Sequence, residues 1–419
     1  MDQVNNKTVS RNIIWNTAGS LFYLVCQWLL SVVVVRFSDD YVNAGVFSVA
    51  TSVSAIFAII ALFNVRNFQV SDSEELYSDG DYAFHRLITC GLTYLACVVF
   101  VLISGYSLYS SLSIISYMLI KTAEAFADVL HGSAQKKWRL DIAGKSFIIR
   151  GALLICSFSL VMYLTKNLPL AIFASGASVL IALFFYDYLI INRLVKIKIV
   201  PNKQKMLSLT KICLPMVGYG ICINSIMPLS RCVLELFHGE EMLGYYASVT
   251  TVAILVQAVM NLVSTPLIGV FDNAYRTDNR RAMIALLAKL LVLLLAIVGV
   301  AFGAIALLGE FAMSLVFGEE IIPYVYLLYP TVIASCLIAL VWILGMLFVI
   351  MRMSIFLFIG ALAGLILCAV LDFALIPSMC YDGTNIAMIA SLALVALIYF
   401  VRFLIYLNMP NKHNGVVSQ

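Results

Sequence analysis

Twelve runs of about 20 apolar residues follow one another along this chain, each long enough to cross a hydrocarbon layer roughly 30 Å thick as a helix. In lipid every backbone N–H and C=O must be satisfied by the chain itself, and a helix does so within one segment. The runs are continuously apolar rather than alternating, which excludes a β-barrel. With 63% hydrophobic and 11% charged residues, little of the 419-residue chain remains for a soluble domain. The expected fold is therefore an all-α polytopic membrane protein. Its twelve spans cover residues 12–35, 43–65, 87–109, 111–131, 146–165, 168–191, 211–236, 244–269, 283–308, 323–350, 353–376 and 383–407. A secreted disulfide scaffold, a nucleic-acid-binding module and a single-pass receptor are excluded by the same composition. The ten cysteines show no metal-ligand spacing and read as small core residues. The first run is too long for a signal-peptide h-region and has no small-residue cleavage site, so it counts as a span.

An even number of spans puts both termini on one side. Taking that side as cytoplasmic places 22 of the 26 basic residues there, while Asp39, Asp40, Glu240, Glu241, Glu310, Glu319, Glu320 and Asp382 fall on the other. The longest basic segment, from Arg193 to Lys211 with Pro201 inside it, separates a lobe of residues 1–192 from a lobe of residues 211–419, with 193–210 as the linker. GVFSVATSV from Gly45 aligns with GYYASVTTV from Gly244 at an offset of 199 residues, matching Gly45 to Gly244 and Thr51 to Thr250. The charged loops Asp72 to Arg86 and Asp272 to Arg281 correspond as well. Two pseudo-symmetric six-helix lobes in parallel duplication enclose a site at their interface. Chance agreement between two apolar helices is the competing account.

Four basic residues break the sidedness rule: Arg36, Lys121, Lys166 and Arg231. Lys166 sits in a short outer loop. The others lie within or at the outer ends of spans, where an unpaired charge costs about 2.5–3.5 kcal/mol or more and usually faces a polar cavity. Helical periodicity shows which spans could line one. The first carries Asn12, Asn16, Ser20, Tyr23, Gln27 and Ser31 in one arc; the fourth carries Tyr117, Lys121, Glu124, Asp128, His131 and Gln135 on one face. The seventh aligns Asn224, Arg231 and Glu235, and the eighth Thr250, Gln257, Asn261 and Ser264. Neutral stripes can simply glue helices together, at about 0.6 kcal/mol per hydrogen bond. Three ionisable groups in two turns of the fourth span exceed that account unless water or a ligand reaches them. Lys121 with Glu124, and Arg231 with Glu235, have the spacing of local ion pairs. Arg36 falls opposite the stripe of the first span, so it either enters the cavity or snorkels at the boundary. Gly299/Gly303 and Gly360/Gly364 have the small-xxx-small spacing of helix packing. Pro215, Pro228 and Pro266 are bends that would suit a gate and also occur in static membrane helices.

No phosphate loop, zinc-protease motif or loop large enough for a catalytic domain is present, which points to a carrier rather than an enzyme.

Twelve spans in two lobes, the opening SRNIIWNTAGSLFYLVCQWLLSVVVVR, and the stretches AGVFSVATS, KTAEAFADVLHGSAQKKWRLDIAGKSFIIRG and LPMVGYGICINSIMPLSRCVLELFHGEEMLGYYASV resemble the polysaccharide-exporter branch of the multidrug/oligosaccharidyl-lipid/polysaccharide superfamily. The resemblance covers essentially the whole chain and rests on pattern rather than a sharp motif. It implies a V-shaped, alternating-access flippase of the bacterial inner membrane. The cargo would be an undecaprenyl-pyrophosphate-linked oligosaccharide for O-antigen or capsule, with polysaccharide polymerase and chain-length machinery as further partners. No cofactor is implied, beyond coupling to protons or sodium. An anionic diphosphate and a hydroxyl-rich sugar call for fixed cations and neutral hydrogen-bonding groups. Arg231, Lys121, Arg36 and Arg66 would supply the first, and Asn16, Gln27, Asn224, Gln257 and Asn261 the second. Glu124 and Asp128 are the candidates for ion coupling, since desolvation raises a carboxyl pKa and a nearby ammonium lowers it.

The alternative is a cation-coupled multidrug exporter of the same superfamily, which would use Glu124 and Asp128 to hold cationic drugs. The absence of an acid in the first span and the cations of the fourth and seventh favour the flippase. A non-transporting membrane scaffold explains the apolar composition but not ionisable residues in mid-span.

Overall fold

The computed structural model describes residues 6–72, 74–252, 257, 267–277, 279–351 and 353–408. They are almost wholly helical: α1 (Asn6–Phe37), α2 (Val42–Leu62), the short α3 (Val65–Ser71), α4 (Asp79–Ile103), α5 (Leu108–Lys136), α6 (Leu140–Thr165) and α7 (Leu168–Ala182). A π-helical turn (Leu183–Tyr188) leads to α8 (Leu189–Val195), then α9 (Lys203–Thr250), α10 (Leu267–Arg276) and α11 (Arg280–Phe317). A 3₁₀ segment (Glu319–Leu327), α12 (Leu328–Ile350), α13 (Ser354–Met379) and α14 (Tyr381–Asn408) complete the chain. Local chemistry sets the ends. Ser78 and Asp81 form a capping box on α4, and Ser107, Asn167, Asn202 and Asn279 cap α5, α7, α9 and α11 through backbone N–H groups.

Ten helices among the described residues are long and apolar enough to cross a membrane. α9 counts once there, although Gly239 (φ 83°, ψ 176°) folds it back into two antiparallel helices, 203–238 and 240–250. α5 has the length, 29 residues, but carries charges through its middle. With α5 the described helices reproduce the order and alternation of eleven of the twelve expected spans; the returning half of α9 gives the start of the eighth, 244–269, most of which lies outside the described residues. The molecule thus has a basic end, where α1 begins and α14 finishes, and an opposite acidic end.

Packing runs α1–α6–α7–α5 with α4 and α2 against α5, while α9 packs on α13, α13 on α14 and α14 on α12. Backbones touch where side chains are missing. A Cβ on Gly19 would meet the carbonyl of Gly144, and one on Gly144 the carbonyl of Trp15, so α1 and α6 cross in direct contact. Gly360 and Gly364 of α13 likewise pack on Tyr399 and Val395 of α14, whereas Gly299 and Gly303 of α11 have no neighbour within 4 Å, so the packing expected of that pair is not made within the described chain.

At the acidic end the two halves close on each other. A Cβ on Gly45 would collide with the carbonyl of Glu240, and one on Gly244 with the carbonyl of Tyr41. Both glycines and both carbonyls are 199 positions apart, so the contact is reciprocal, as a two-fold axis along the bundle requires. Around it Tyr41 stacks on Tyr245 (4.2 Å between ring centres), Tyr245 on Tyr324 (4.6 Å), and the Tyr41 hydroxyl donates to the Phe317 carbonyl (2.9 Å).

Towards the basic end the core divides. Leu209, Cys213 and Val217 of α9 pack with Phe63, Val65, Tyr77, Tyr82 and Val129 of the first half. Cys222, Ile223 and Ile226 of α9 pack instead with α12, α13 and α14, so the change of allegiance falls between Val217 and Cys222. Further along, Val233 and Leu234 rejoin the core of the first half. Polar contacts fasten the start of α9 to the first half: Lys205 to Asp81 (2.7 Å), Tyr77 to Ser208 (2.9 Å) and His85 to Thr210 (3.0 Å). Asp72, in the loop after α3, is drawn upward in pKa by burial but held below the usual carboxylate value by Tyr82 and the N–H groups of Leu76 and Tyr77.

The clasp at Gly45 and Gly244 should set which end is open. Gly45→Val forces backbone apart, at about 1–3 kcal/mol, enough to move a two-state equilibrium roughly 5- to 150-fold. A cysteine placed at Thr51 should then react faster with an impermeant maleimide added from the acidic side than in the parent with the same cysteine. Unchanged labelling would remove the clasp as the closing contact.

Candidate functional site

Between the two halves lies a cavity in two connected parts. The wider, about 760 Å³, reaches the basic end past Leu62, Asn64, Asn67 and Val349. The deeper, about 400 Å³, ends below the clasp among Gln27, Ser31, Thr51, Arg231, Thr250 and Gln257. Ala55, Lys121 and Asn224 border both.

α5 supplies one wall, and the polar face expected of the fourth span is a ladder of ion pairs. Lys121 Nζ lies 2.9 Å from Glu124 Oε2 and 5.6 Å from the centre of the Tyr117 ring. The other Glu124 oxygen accepts from the Tyr23 hydroxyl and from Gln27 Nε2 (2.9 Å), so the stripe of the first span meets that of the fourth. One turn on, Asp128 is held by Arg66 Nη1 (2.9 Å) and Arg86 Nη2 (3.1 Å). Arg66 comes within reach because two left-handed residues, Phe63 (φ 47°) and Asn64 (φ 52°), break the helix between α2 and α3. It also donates to Gln135 (2.9 Å). Another turn on, His131 Nε2 lies 2.9 Å from Asp187 Oδ1, and Arg150 Nε lies 3.9 Å from Asp187 Oδ2.

Arg231 stands apart. Its guanidinium donates to Thr250 Oγ1 (3.1 Å) across the two halves of α9. The ion pair with Glu235 expected from the i, i+4 spacing is not formed. Arg231 turns into the deep pocket, while Glu235 borders a separate cavity at the acidic end with Tyr106 and Glu240. Among the described residues no carboxylate forms an ion pair with Arg231.

The remaining candidates divide. Gln27, Asn224 and Gln257 line the deep pocket, where Asn224 donates to the Gly220 carbonyl (2.9 Å) and Gln257 sits 3.8 Å from Met227 Sδ. Arg36 is not a cavity residue. It is exposed at the acidic end and donates to the carbonyls of Ser314, Leu315 and Val316, capping the C-terminus of α11, where a cation meets the negative end of the helix dipole. Asn16 also lies outside the cavity lining, its backbone against Gly144 of α6 and its Oδ1 buried without a partner. Asn261 lies outside the described residues.

Sequence reasoning missed Arg86, Arg150, Asp187 and Asp372. The two arginines sit near span ends and read as topology markers. The two aspartates had a legible signal, each being the lone acid of its apolar run (168–191 and 353–376). Asp372 is fully buried, accepts from Ser230 (3.0 Å), and leaves Oδ1 unpaired.

No sequence-family model matches the chain, and no curated protein matches it significantly. Solved structures do. The lipid II flippase MurJ in an inward closed conformation shares 11% identity over 93% of this chain and 87% of its own, with a TM-score of 0.74. A Vibrio cholerae MATE transporter shares 11% over 97% of each chain, TM-score 0.63. A transporter of the multidrug/oligosaccharidyl-lipid/polysaccharide superfamily from Pyrococcus furiosus shares 14% over 96% and 95%, TM-score 0.61. At such identities the likeness establishes the fold: the chain is an all-α, multi-pass membrane protein with the two-lobe architecture of these transporters.

The ladder makes a stability prediction. Asp128→Asn leaves Arg86, wholly buried, without the carboxylate it pairs with and with neutral acceptors alone, among them the Ala61 carbonyl (2.8 Å). Removing one partner of a buried pair costs about 3–5 kcal/mol, reduced here because water at the cavity mouth reaches Asp128. Thermal unfolding in detergent should show a clearly lower midpoint for Asp128→Asn than for Arg66→Gln, which keeps the buried Arg86–Asp128 contact. Equal midpoints would place no stabilisation in that contact.

Proposed function

We propose that this protein is a flippase that carries an anionic lipid-linked oligosaccharide, of the undecaprenyl-diphosphate class, across a bacterial inner membrane by alternating access. Both termini would then be cytoplasmic and the cavity open to the cytoplasm. The observation that carries the reading is the charge of the cavity. Lys121, Arg150 and Arg231 line the cavity and Arg66 its mouth, against Glu124 and Asp128, an excess of two positive charges. A diphosphate diester carries two negative charges. The uncompensated cation, Arg231, lies in the deep pocket beside the hydroxyls of Ser31, Thr51, Thr250 and Thr251, where a planar fork suits a phosphate. The wider chamber, with Asn64, Asn67 and Asn224, suits sugar hydroxyls, and the lipid tail can remain in the bilayer.

A multidrug exporter for cationic drugs is the less favoured alternative. Both carboxylates that line the cavity, Glu124 and Asp128, already pair with a cation, so neither is free to hold another. Pairing likewise weakens Glu124 and Asp128 as ion-coupling groups.

Deletion of the gene should abolish a surface polysaccharide and accumulate its lipid-linked repeat. Arg231→Ala should fail to restore it at normal protein abundance, and Arg231→Lys, which keeps charge but loses the fork, should restore it in part. Full restoration by Arg231→Ala would remove Arg231 from the binding site. A deletion that leaves surface glycans intact but sensitises cells to cationic drugs would favour the exporter.

A further inference from the structure

Asp187 is the charge the transport reading leaves unexplained. It is fully buried in the π-helical turn, one oxygen facing His131 and the other without a hydrogen-bond partner. Leaving a buried acceptor unpaired costs about 1–3 kcal/mol, more for a charged group, and π turns recur at functional sites. Arg150 stops 3.9 Å short, held by its own contacts. Its Nε donates to Ser146 Oγ (3.0 Å), and its guanidinium lies over the rings of Phe147 (5.1 Å) and Tyr23 (5.5 Å). His131 borders the wide chamber, so water reaches the edge of this cluster.

We propose that His131 and Asp187 form a proton-binding site filled from the cavity and coupled to anion binding at Lys121; the coupling rests on the anionic-substrate reading above. Facing a carboxylate, Nε2 carries the hydrogen of the neutral imidazole, which leaves Nδ1 as the acceptor. A proton from cavity water adds to Nδ1, and the imidazolium keeps its Nε2–H bond to Asp187. The ionisable groups around it are Asp187 on the π turn, Arg150 on α6, Arg66 on α3, Tyr23 on α1, and Glu124 and Asp128 on α5 itself. With Asp187 satisfied by a charged imidazole, Arg150 is free to turn towards Glu124, whose carboxylate already accepts from Tyr23. Glu124 shared with Arg150 holds Lys121 less tightly, and the released ammonium meets the substrate anion. A proton and an anion therefore favour each other, and the linkage is reciprocal.

The chain has four histidines, His85, His131, His238 and His413, so imidazole signals can be assigned by difference in isotopically labelled protein. In substrate-free protein, the signal lost in His131→Gln should titrate over the pH range in which the protein stays folded, as the imidazole changes charge. No titration of that signal overturns the site. Farnesyl diphosphate, used as the probe, should bind more tightly as pH falls, by up to about tenfold per pH unit for one linked proton. His131→Gln should lose that dependence relative to the unmodified protein, the probe's own terminal phosphate titrating alike in both, with Asp187→Asn as the second variant should the first not fold. The same pH dependence in the unmodified protein and in His131→Gln overturns the coupling alone. A titrating imidazole with no farnesyl diphosphate binding at any pH overturns the anionic-substrate reading, and the coupling with it, and leaves the proton site standing.

Discussion

A charge inside an apolar bundle has to find a partner or water, and the middle of this molecule is arranged around that requirement. An unpaired ion in mid-membrane costs about 2.5–3.5 kcal/mol or more. α5 carries three ionisable groups in two turns, and α1, α3, α4, α6 and the π turn each bring a polar group to meet that face. Tyr23 and Gln27 reach Glu124, Arg66 and Arg86 reach Asp128, and Asp187 reaches His131. The first half is thus a bundle whose interior contacts are polar where it borders the cavity and apolar elsewhere. Pairs of this kind add little net stability over well-packed hydrophobic residues, so their presence is better explained by a wet cavity than by folding.

The same constraint separates the two halves. The first half brings several charges to the cavity and neutralises most of them. The second brings Arg231, which meets only Thr250 among the hydrogen-bond partners in the described residues. A buried acid of that half, Asp372, is enclosed by Ser230 and Cys368 away from the cavity. The lobes repeat in backbone, as the reciprocal glycine contact shows, but not in chemistry. In the proposed flippase, a symmetric frame with asymmetric walls would give the substrate one charged side and one largely neutral side to bind between, with a single strong anion donor to orient its head.

Span number, order and alternation were legible because apolar length is a direct physical requirement of lipid, and the ladder of α5 was legible because helical periodicity is fixed. The Gly45/Gly244 match was visible as sequence, yet its meaning, backbone packed on backbone, needed coordinates. Arg36 shows where the reading fails. Its position opposite the polar stripe of the first span left its surroundings open, and the carbonyls it caps belong to a helix nearly 280 residues away. The role of Arg66 depends on two consecutive left-handed residues that nothing in FNVR announces. Arg86 and Arg150 were hidden for another reason. The basic-end bias that reveals topology also supplies an ordinary explanation for every arginine near a span end.

The contacts proposed for binding and for closure share one short element. Gly244, packed on the Tyr41 carbonyl, and Thr250, bonded to Arg231, are six residues apart on the returning half of α9, about 9 Å along the helix. Thr251, on the next residue, lies 3.3 Å from Ser31 of α1. An anion that takes the Arg231 guanidinium away from Thr250 therefore removes a tie on the helix that holds the acidic end shut. A neutral ligand of the same size fills the pocket and leaves that tie in place. Only a ligand with different affinity for the closed and open arrangements can shift their balance. On the flippase reading proposed above, the placement of Arg231 would make that difference a matter of charge, and selectivity and the trigger for opening would lie in the same hydrogen bond.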